Sequence, residues 1–499
     1  MSDERSTGGE RPSSNGSSNR GSAGGRSGGG RAPRRDSPRE PKQVRVSPAR
    51  IVAYEVLEAV RTDEAYANLL MPKRIERSRL SPDDAALATE LGYGTLRMQG
   101  FYDAVIVLAA GRPTDRIDPP VLDILRLGAH QLLSTRVPTH AAVNESVVLA
   151  KRLAPGATGF VNAVLRTISR TSPDEWREHV ERETTGGADA KLAAVSSHPK
   201  WIVRALRAAL AHEERGDELD ALLAADNAAP RVNLVALPGS DVPGPDDLGT
   251  ANAYSPLGFT AGHPLALVAA SHGRVRVQDE GSQLAALALT RARPVVAGER
   301  WLDLCAGPGG KTAILAAEAL ATGAVLAANE VVPARAELVR NAIAGVPLDV
   351  EVHELDGRVL DAAALGAEGG FDRILLDAPC TGLGALRRRP EARWRKQPAD
   401  VAELTKLQGE LIDGAIRSLK PGGILAYVTC SPHTSETFGT LRAALERHAG
   451  EVSQLDTRAV VDGVSRHPLD LGGAPETVQL WPHRHGTDAM FIALLERTA

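Results

Sequence analysis

The spacing of apolar residues separates a helical part of the chain from a part in which strands and helices alternate. From Ser47 onward, apolar positions such as Val52, Val56 and Val60 recur with helical spacing. Amphipathic runs without strand-like alternation follow at 84–110, 120–135, 141–153 and 159–170. The pattern therefore predicts an all-helical domain over residues 47–172.

The next two segments predict a connection and a small mixed module. Residues 173–228 begin with a polar stretch containing Gly186 and Gly187, which we interpret as a linker, and continue as a helical connector. In residues 229–280, short alternating runs such as Val275–Gln278 are separated by Gly, Pro and Asp. This pattern is typical of a small α+β module.

Residues 281–499 alternate short apolar runs with helical stretches. Strands are predicted at Trp301–Cys305, Ala324–Glu330, Val350–Leu355, Phe371–Asp377 and Ile424–Thr429. Helices are predicted at 311–321, 333–344 and 400–419. Such alternation indicates a doubly wound, mostly parallel, Rossmann-like sheet that binds its ligand at the carboxyl ends of the strands. The predicted fold class is therefore multi-domain: an all-α domain, an α+β module and an α/β domain.

Composition narrows the class of protein. A chain of 499 residues, 43% of them hydrophobic, is expected to form about two to four globular domains. No apolar run reaches the roughly 18–20 residues of a membrane span, and the N-terminus is too polar for a secretory signal, so we expect a cytoplasmic protein that needs no membrane. The net charge of -4 means that any nucleic-acid surface is local.

Residues 1–46 are rich in Gly, Ser and Arg and contain almost no large apolar residue. Such a segment cannot bury enough surface to fold, so we predict a disordered tail. Two interpretations of the tail stay open, a solubilising segment and a loose RNA-contacting arm.

A Gly-rich turn, within Asp303–Thr312, follows the first predicted strand of the α/β domain. The glycine that a phosphate-binding Walker loop needs ahead of Gly310-Lys311-Thr312 is absent, and a dinucleotide loop needs glycine at position 312. The remaining interpretation is the D-x-x-x-G-x-G pattern of S-adenosylmethionine sites.

Carboxylates at the ends of the next strands strengthen that interpretation. Glu330 is placed to accept the ribose hydroxyls, Asp356 to reach the adenine amino group, and Asp377 ends the fourth strand. We expect Lys311 to contact either the cofactor or the substrate; a surface residue at a helix N-terminus is the alternative. The predicted S-adenosylmethionine site comprises Cys305, Ala306, Gly307, Pro308, Gly309, Gly310, Lys311, Glu330, Asp356 and Asp377.

The three cysteines are not spaced for a disulfide framework or a zinc site, so we predict no metal centre. Cys380 and Cys430 directly follow the fourth and fifth predicted strands, whereas Cys305 belongs to the Gly-rich turn. A thiolate that adds to C6 of a pyrimidine makes C5 nucleophilic, and a second thiol nearby can act as a base or assist release. Asp377 is placed to hold the cytosine amino group or N3. The alternative, three buried small apolar residues, does not explain the positions of Cys380 and Cys430.

The motifs Asp377-Ala-Pro-Cys380, Thr429-Cys430-Ser431 and Leu304–Thr312 resemble the signatures of the NOL/NOP/Sun RNA cytosine-5 methyltransferases, as does the closing segment Leu480–Asp488. The segments Ala142–Glu145 and Phe160–Arg166 resemble the NusB-like RNA-binding domain that the bacterial Sun/Fmu/RsmB branch carries at its N-terminus. The resemblance covers about residues 47–499. It implies a NusB-like domain at 47–172 and an S-adenosylmethionine-dependent methyltransferase domain at 281–499.

The resemblance also implies roles for the two cysteines. Cys430 is expected to be the nucleophile and Cys380 the release residue, and the substrate a cytidine of 16S ribosomal RNA. The sequence departs from the family at Gly307, where alanine is common, and at 432–436, where many members have Pro-Glu-Glu-Asn. We assign no role to His433 or Glu436, and we expect the protein to act as a monomer.

A basic segment follows Cys380 and predicts an RNA surface. The predicted RNA contacts are Arg387, Arg388, Arg389, Arg393 and Trp394. The arginines would contact phosphates, and Trp394 would either stack on a base or anchor the loop. A solvated charge run is the alternative. The target base must leave its stack to be reached, so a loop or bulge in RNA is the expected target.

Two other functions remain open. One is a non-catalytic ribosome-assembly or antitermination factor built on the helical domain, against which the cysteine pair and the Gly-rich turn argue. The other is a DNA cytosine-5 methyltransferase. Enzymes of that class attack from the Pro-Cys position and lack the second motif Thr429-Cys430-Ser431.

Overall fold

The computed structural model describes residues 46–239 and 243–498. The tail predicted over residues 1–46 lies outside these ranges apart from its last position. Every helix in the described ranges is too short or too polar to span a bilayer.

Seven helices form the N-terminal domain. They are α1 (Pro48–Thr62), α2 (Ala67–Arg77), α3 (Pro82–Arg97), α4 (Gln99–Ala110), α5 (Pro119–Ser134), α6 (Thr139–Leu153) and α7 (Thr158–Ile168). Prolines in the first turns of α1, α3 and α5 suit positions where a backbone N–H has no helical partner. The apolar faces of the helices close on one core that contains Tyr102, Leu125 and Leu165.

Four more helices follow: α8 (Pro173–Glu183), α9 (Ala188–Ser196), α10 (Lys200–His212) and α11 (Leu219–Asn227). The prediction of a linker at the start of residues 173–228 is therefore wrong. Ser172 and Glu175 form a capping box that begins α8, and Trp176 and Val180 pack into the core of the N-terminal domain. The spacing Ser-x-x-Glu indicates a helix start, because the two side chains accept hydrogen bonds from backbone N–H groups that have no partner within the helix.

In the described residues on either side of 240–242, the small module consists of an antiparallel sheet and two short helices. Its elements are β1 (Leu234–Ala236), α12 (Pro245–Leu248), β2 (Thr250–Ala251), β3 (Gly258–Thr260), α13 (Pro264–Ala270) and β4 (Val275–Val277). The strands stand in the order β2-β3-β1-β4.

The C-terminal domain has one large sheet covered by helices on both faces. Its elements are α14 (Glu280–Thr290), β5 (Arg300–Asp303), α15 (Gly310–Thr322), β6 (Val325–Asn329), α16 (Pro333–Ile343), β7 (Glu351–His353), β8 (Phe371–Asp377), α17 (Ala392–Arg395), α18 (Pro398–Ser418), β9 (Leu419–Thr429), α19 (Thr440–Arg447), β10 (Val452–Gln454), α20 (Thr457–Val464), β11 (Thr477–Gln479), α21 (Pro482–His485) and β12 (Phe491–Arg497).

The large sheet is parallel in its centre and antiparallel at one side. Its order is β10-β12-β9-β8-β5-β6-β7, with β11 paired to β12. Strands β5 to β9 are mutually parallel, whereas β12 runs antiparallel to β9. The predicted fold class, an all-helical domain followed by a Rossmann-like domain, is confirmed. The sequence did not predict β10 to β12, which make the sheet mixed. The carboxyl ends of β5 to β9 lie at one edge, and the candidate site lies there.

Candidate active site

The cofactor loop, residues 303–312, joins β5 to α15. Gly309 has φ = 99°, in the left-handed region that favours glycine. A Cβ at this position would lie 2.4 Å from Cβ of Ala342 and 2.9 Å from Cα of Val339. The glycine therefore lets the loop pass closely against α16, and only a residue without a side chain fits.

Asp303 anchors the loop from inside the domain. Its Oδ2 accepts a hydrogen bond of 2.7 Å from the Thr312 hydroxyl, and the residue is 1% exposed. Burial raises the pKa of Asp303 to about 7, although the Thr312 hydrogen bond acts in the opposite direction. Its other oxygen, Oδ1, is buried and has no hydrogen-bond partner among the described residues.

Glu330 directly follows β6 and is tied to the cofactor loop. Its carboxylate accepts the backbone N–H groups of Gly307 at 3.1 Å and Val332 at 3.0 Å, and Arg335 lies 3.3 Å away. A Cβ at position 307 would lie 2.3 Å from Glu330 Oε2. Gly307, noted above as a departure from the family, is therefore the residue that gives Glu330 room in this structure.

Asp356 follows β7 and begins a short 3-10 turn. It forms a bidentate ion pair with Arg358, which lowers the pKa of Asp356. Its side chain is more exposed than those of Asp303 and Glu330. Asp356 therefore lies at a more open position than the other carboxylates.

Lys311 and Asp377 form an ion pair of 2.7 Å at the carboxyl ends of β5 and β8. Burial disfavours the charged lysine, but the Asp377 carboxylate outweighs it, and the pKa of Lys311 is raised. A buried cation is therefore held in place beside the cofactor loop.

Cys380 and Cys430 meet at the same edge of the sheet. Cys380 lies in the Cys380 loop, residues 378–396, and Cys430 in the Cys430 loop, residues 430–434. These loops follow β8 and β9, which are adjacent and parallel. The two Sγ atoms are 3.4 Å apart, and both residues are partly exposed. Adjacent strands thus bring together two thiols that are 50 residues apart in sequence.

The surroundings of the two thiols differ. A hydrogen bond from Cys380 lowers the pKa of Cys430. Burial and the Asp377 carboxylate act in the opposite direction, and the positive charges of Arg389 and Lys311 add to the lowering. The pKa of Cys380 is raised by the hydrogen bond to Cys430, by burial and by the carboxylates of Glu436 and Asp377. The pair therefore favours a Cys430 thiolate that accepts a hydrogen bond from a Cys380 thiol.

Cys305 is a different kind of cysteine. Burial raises its pKa, and the carboxylates of Asp303, Asp377 and Glu330 act in the same direction. It is a small side chain within the cofactor loop and has no activated thiol.

Comparisons with known proteins identify the family of this chain. Residues 293–496 match the model of the family described as 16S rRNA methyltransferase RsmB/F, and residues 47–170 match the NusB family. A protein of Mycobacterium tuberculosis that carries the name methyltransferase Rv1407 is 48% identical to this chain over 467 residues. The match covers 92% of this chain and 98% of that protein. Ribosomal RNA small subunit methyltransferase B of Pseudomonas putida is 33% identical over 469 residues, covering 90% and 98% of the two chains.

The chain belongs to the RsmB/F family of 16S rRNA methyltransferases. The crystal structure of PH0851 shares its fold, with a TM-score of 0.70 at 23% identity over 91% of this chain and all of the other. The helical domain is a NusB domain, and the cofactor of this RsmB/F protein is S-adenosylmethionine.

The cofactor loop of this RsmB/F protein fits that cofactor. S-adenosylmethionine carries a positive sulfonium and an amino group, and the unpaired Oδ1 of Asp303 is a buried acceptor for such a cation. Asp377 and Glu330 lie close enough to raise the pKa of Asp303. The glycines at 307 and 309 let the loop lie directly against Glu330 and α16, so that the loop backbone and the Glu330 carboxylate stay close together at this edge of the sheet.

The NusB domain of this RsmB/F protein contacts the Cys380 loop. The side chain of Arg97 donates to the carbonyl of Arg387 at 3.1 Å, and Glu391 accepts the N–H of Ala67 at 3.2 Å. The guanidinium of Arg395 donates to two carbonyls of the NusB domain, those of Val60 and Ala65. The loop that carries Cys380 is therefore held from outside the methyltransferase domain.

This contact corrects most of the predicted RNA surface. Arg393 is 0% exposed and donates to the carbonyls of Arg97, Ser197 and Asp226 and to the side chain of Asn227. Arg393 therefore cannot contact a phosphate, and the prediction for it is wrong.

Two more arginines of the predicted surface have intramolecular partners. Both Arg387 and Arg388 pair with Asp279 and Asp488, and Arg387 is buried. The prediction fails for Arg387 and loses support for Arg388, because their charges are already neutralised.

Trp394 and Arg389 complete the segment. A Cβ at Gly100 of α4 would lie 2.4 Å from the Trp394 ring, so Trp394 packs on the NusB domain and anchors the loop. Arg389 is exposed, and its guanidinium lies 5.9 Å from the centre of the Tyr66 ring. Of the five predicted residues, Arg389 is the one that keeps an exposed cation close to the cysteine pair.

Proposed function

We propose that this protein transfers a methyl group from S-adenosylmethionine to C5 of a cytidine in 16S ribosomal RNA, through a covalent bond between Cys430 and C6. The observation that carries the proposal is the cysteine pair, whose Sγ atoms are 3.4 Å apart at the carboxyl ends of adjacent parallel strands. Two thiols with opposite pKa shifts suit two different tasks.

Cys430 acts first as the nucleophile. Its thiolate adds to C6 of the cytosine, which forms the S–C6 bond and moves the electrons of the C5–C6 double bond toward C5. The cations of Lys311 and Arg389 favour this thiolate. When bound, S-adenosylmethionine would supply an electrophilic methyl group to C5, and its sulfur would keep the electrons of the broken S–CH3 bond as a neutral thioether.

Cys380 acts in release. After methylation a base removes the C5 proton, the C5–H electrons restore the C5–C6 double bond, and the Cys430 thiolate leaves with the electrons of the S–C6 bond. Cys380 is 3.4 Å from the departing sulfur, where its thiol can donate a hydrogen bond to the thiolate that forms.

Asp377 and the residues around the cofactor loop have supporting tasks. Asp377 Oδ2 accepts a hydrogen bond from the Lys311 ammonium, so we assign Oδ1 to the cytosine amino group. Glu330 and Asp356 are assigned to the ribose and the adenine, and 305–311 to the rest of the cofactor. Arg389 is assigned to the RNA phosphates, since it is exposed beside the pair.

The test is methyl transfer from labelled S-adenosylmethionine to 16S rRNA, free and in small subunits, from cells that lack the gene. We expect label in RNA that digests to 5-methylcytidine. Label on another nucleoside or on DNA alone contradicts the proposal, and no label at all favours a non-catalytic RNA-binding factor. Action as a monomer stays a prediction, which sedimentation of the purified protein checks.

A further inference from the structure

One buried carboxylate connects the two cysteine loops. Oε1 of Glu436 accepts the backbone N–H of Thr381 at 2.7 Å, and its Oε2 accepts the hydroxyls of Thr381 and Ser431, the latter at 2.6 Å. Thr381 follows Cys380 and Ser431 follows Cys430. A single side chain thus holds the residue next to each cysteine.

Other contacts fix Glu436 itself. It lies on a π-helical turn, Ser435–Gly439, a rare geometry that often occurs at functional sites. The Tyr427 hydroxyl donates to the Glu436 carbonyl at 2.6 Å. The Gln408 amide donates to Glu436 Oε1 at 3.3 Å and to the carbonyl of Pro379 at 2.8 Å. Glu436 is 0% exposed, and every group that reaches its carboxylate is a donor.

We propose that Glu436 is a positioning residue of the methyl-transfer reaction, which holds the Cys380 and Cys430 loops at a fixed separation through one carboxylate. The proposal rests on the two-cysteine mechanism above. Glu436 does not contact either sulfur; it acts through Thr381 and Ser431. Loss of this link allows the two sulfur atoms to separate, and a misplacement of about 1 Å can reduce turnover by about 100-fold.

The charge of Glu436 adds a second effect. The ionisable groups that face the pair are Asp377, Lys311, Arg389, Glu436 and, beneath them, Tyr427. The hydrogen bond to Cys430 and burial raise the pKa of Cys380 most. The Glu436 carboxylate makes a smaller contribution in the same direction. Lys311 and Arg389 act on Cys430 instead. Glu436 thereby favours the state in which the proton shared by the pair stays on Cys380.

Two substitutions separate the effect of the length of the Glu436 side chain from the effect of its charge. Glu436→Gln keeps the length of the side chain but removes the charge; its oxygen can accept from Thr381 N–H and its NH₂ can donate to the two hydroxyls, which rotate. Glu436→Asp keeps the charge, but it is one methylene too short to hold both loops. Glu403→Gln, an exposed residue of α18, is the matched control.

The experiment uses the full chain and measures kcat, the KM for S-adenosylmethionine and, by mass spectrometry, the alkylation of each cysteine as a function of pH. We expect Glu436→Asp to lower kcat by about 10- to 100-fold with little change in KM. Glu436→Gln should lower kcat by about 10-fold and move the alkylation of Cys380 to lower pH. Glu403→Gln should match the wild type.

Wild-type kcat and wild-type alkylation profiles in both Glu436 variants would overturn the proposal. A loss of kcat that only follows a loss of folded protein, with an unchanged alkylation profile in the folded fraction, would overturn it as well. Failure of the two-cysteine mechanism gives a different result, because the wild type would then form no 5-methylcytidine. The alkylation profiles of the variants would still show whether Glu436 acts on Cys380.

Discussion

The cofactor loop and the Cys380 loop both follow parallel strands at the same edge of the sheet, but they are held in different ways. The cofactor loop is fixed from within its own domain, by the Thr312–Asp303 hydrogen bond and by the close approach of Gly309 to α16. The Cys380 loop is fixed by the NusB domain and the helices that follow it, through Arg393 and its neighbours.

The difference shows that the NusB domain has a structural task, because it helps to hold the Cys380 loop in place. Arg393 reaches the carbonyls of Arg97 and Ser197, which belong to α3 and to the turn after α9. Changes far from the sheet are therefore expected to disturb Cys380 while leaving the cofactor loop intact. The following changes test that expectation.

The largest effect is expected from Arg393→Ala. It leaves three buried carbonyls and the part-buried Asn227 side chain without this donor, and it opens a cavity where the Cys380 loop meets α3 and α11. We therefore expect the free energy of unfolding to fall by about 3 kcal/mol or more. Urea denaturation measures the change. Arg389→Ala is the matched control: its side chain is exposed, so stability should change by about 0.5 kcal/mol or less while RNA affinity falls. Equal stability of the two variants would contradict the buried role of Arg393.

Low pH should also destabilise the region around Arg393, where His198 and Asp226 are buried. His198 is fully buried, 3.7 Å from Asp226, and burial lowers its pKa from 6.5 to about 4, with the charge of Arg393 in the same direction. Between pH 6.5 and pH 4 the unfolded chain binds a proton at His198 that the folded chain does not, so stability falls as the pH falls through this window, by up to roughly 3 kcal/mol. Unfolding midpoints at several pH values should show a shallower acid slope for His198→Gln, and an identical slope would exclude His198 as a cause.

A smaller and more local effect is expected in the cofactor loop. Gly309→Ala places a Cβ against α16 at a positive φ, so we expect binding of S-adenosylmethionine to weaken by about 100-fold. Gly298→Ala is the control, because Gly298 also has a positive φ, of 87°, but no atom of the described residues lies within 4 Å of the added Cβ. Calorimetric titration compares the two. Wild-type affinity in Gly309→Ala would contradict the packing argument.

The same comparison explains how much of the site the sequence could predict. The cofactor loop is local, so one run of residues after a strand identified it. The positions of Cys380 and Cys430 after strands predicted that they lie at the active edge, and the adjacency of β8 and β9 brings them together.

Contacts between distant segments were not predictable from local pattern. The basic run after Cys380 looked solvent-facing because charge gives no sign of the buried acceptors in α3 and α11 that surround Arg393. Local pattern predicts no role for Glu436, because its link to Thr381 joins segments 55 residues apart in sequence. Helix α8 differs from these contacts, because the spacing of Ser172 and Glu175 is a local signal for its start; the polar composition of the stretch instead favours a linker.

The central claim is that the two cysteines have unequal tasks, and trapping of the covalent RNA adduct tests it most directly. Each variant, Cys430→Ala and Cys380→Ala, is incubated with S-adenosylmethionine and unmethylated 16S rRNA, and protein bound to RNA is measured on a denaturing gel. We predict that Cys380→Ala accumulates the adduct, because release is impaired, and that Cys430→Ala forms none. An adduct in Cys430→Ala and none in Cys380→Ala would contradict the assignment.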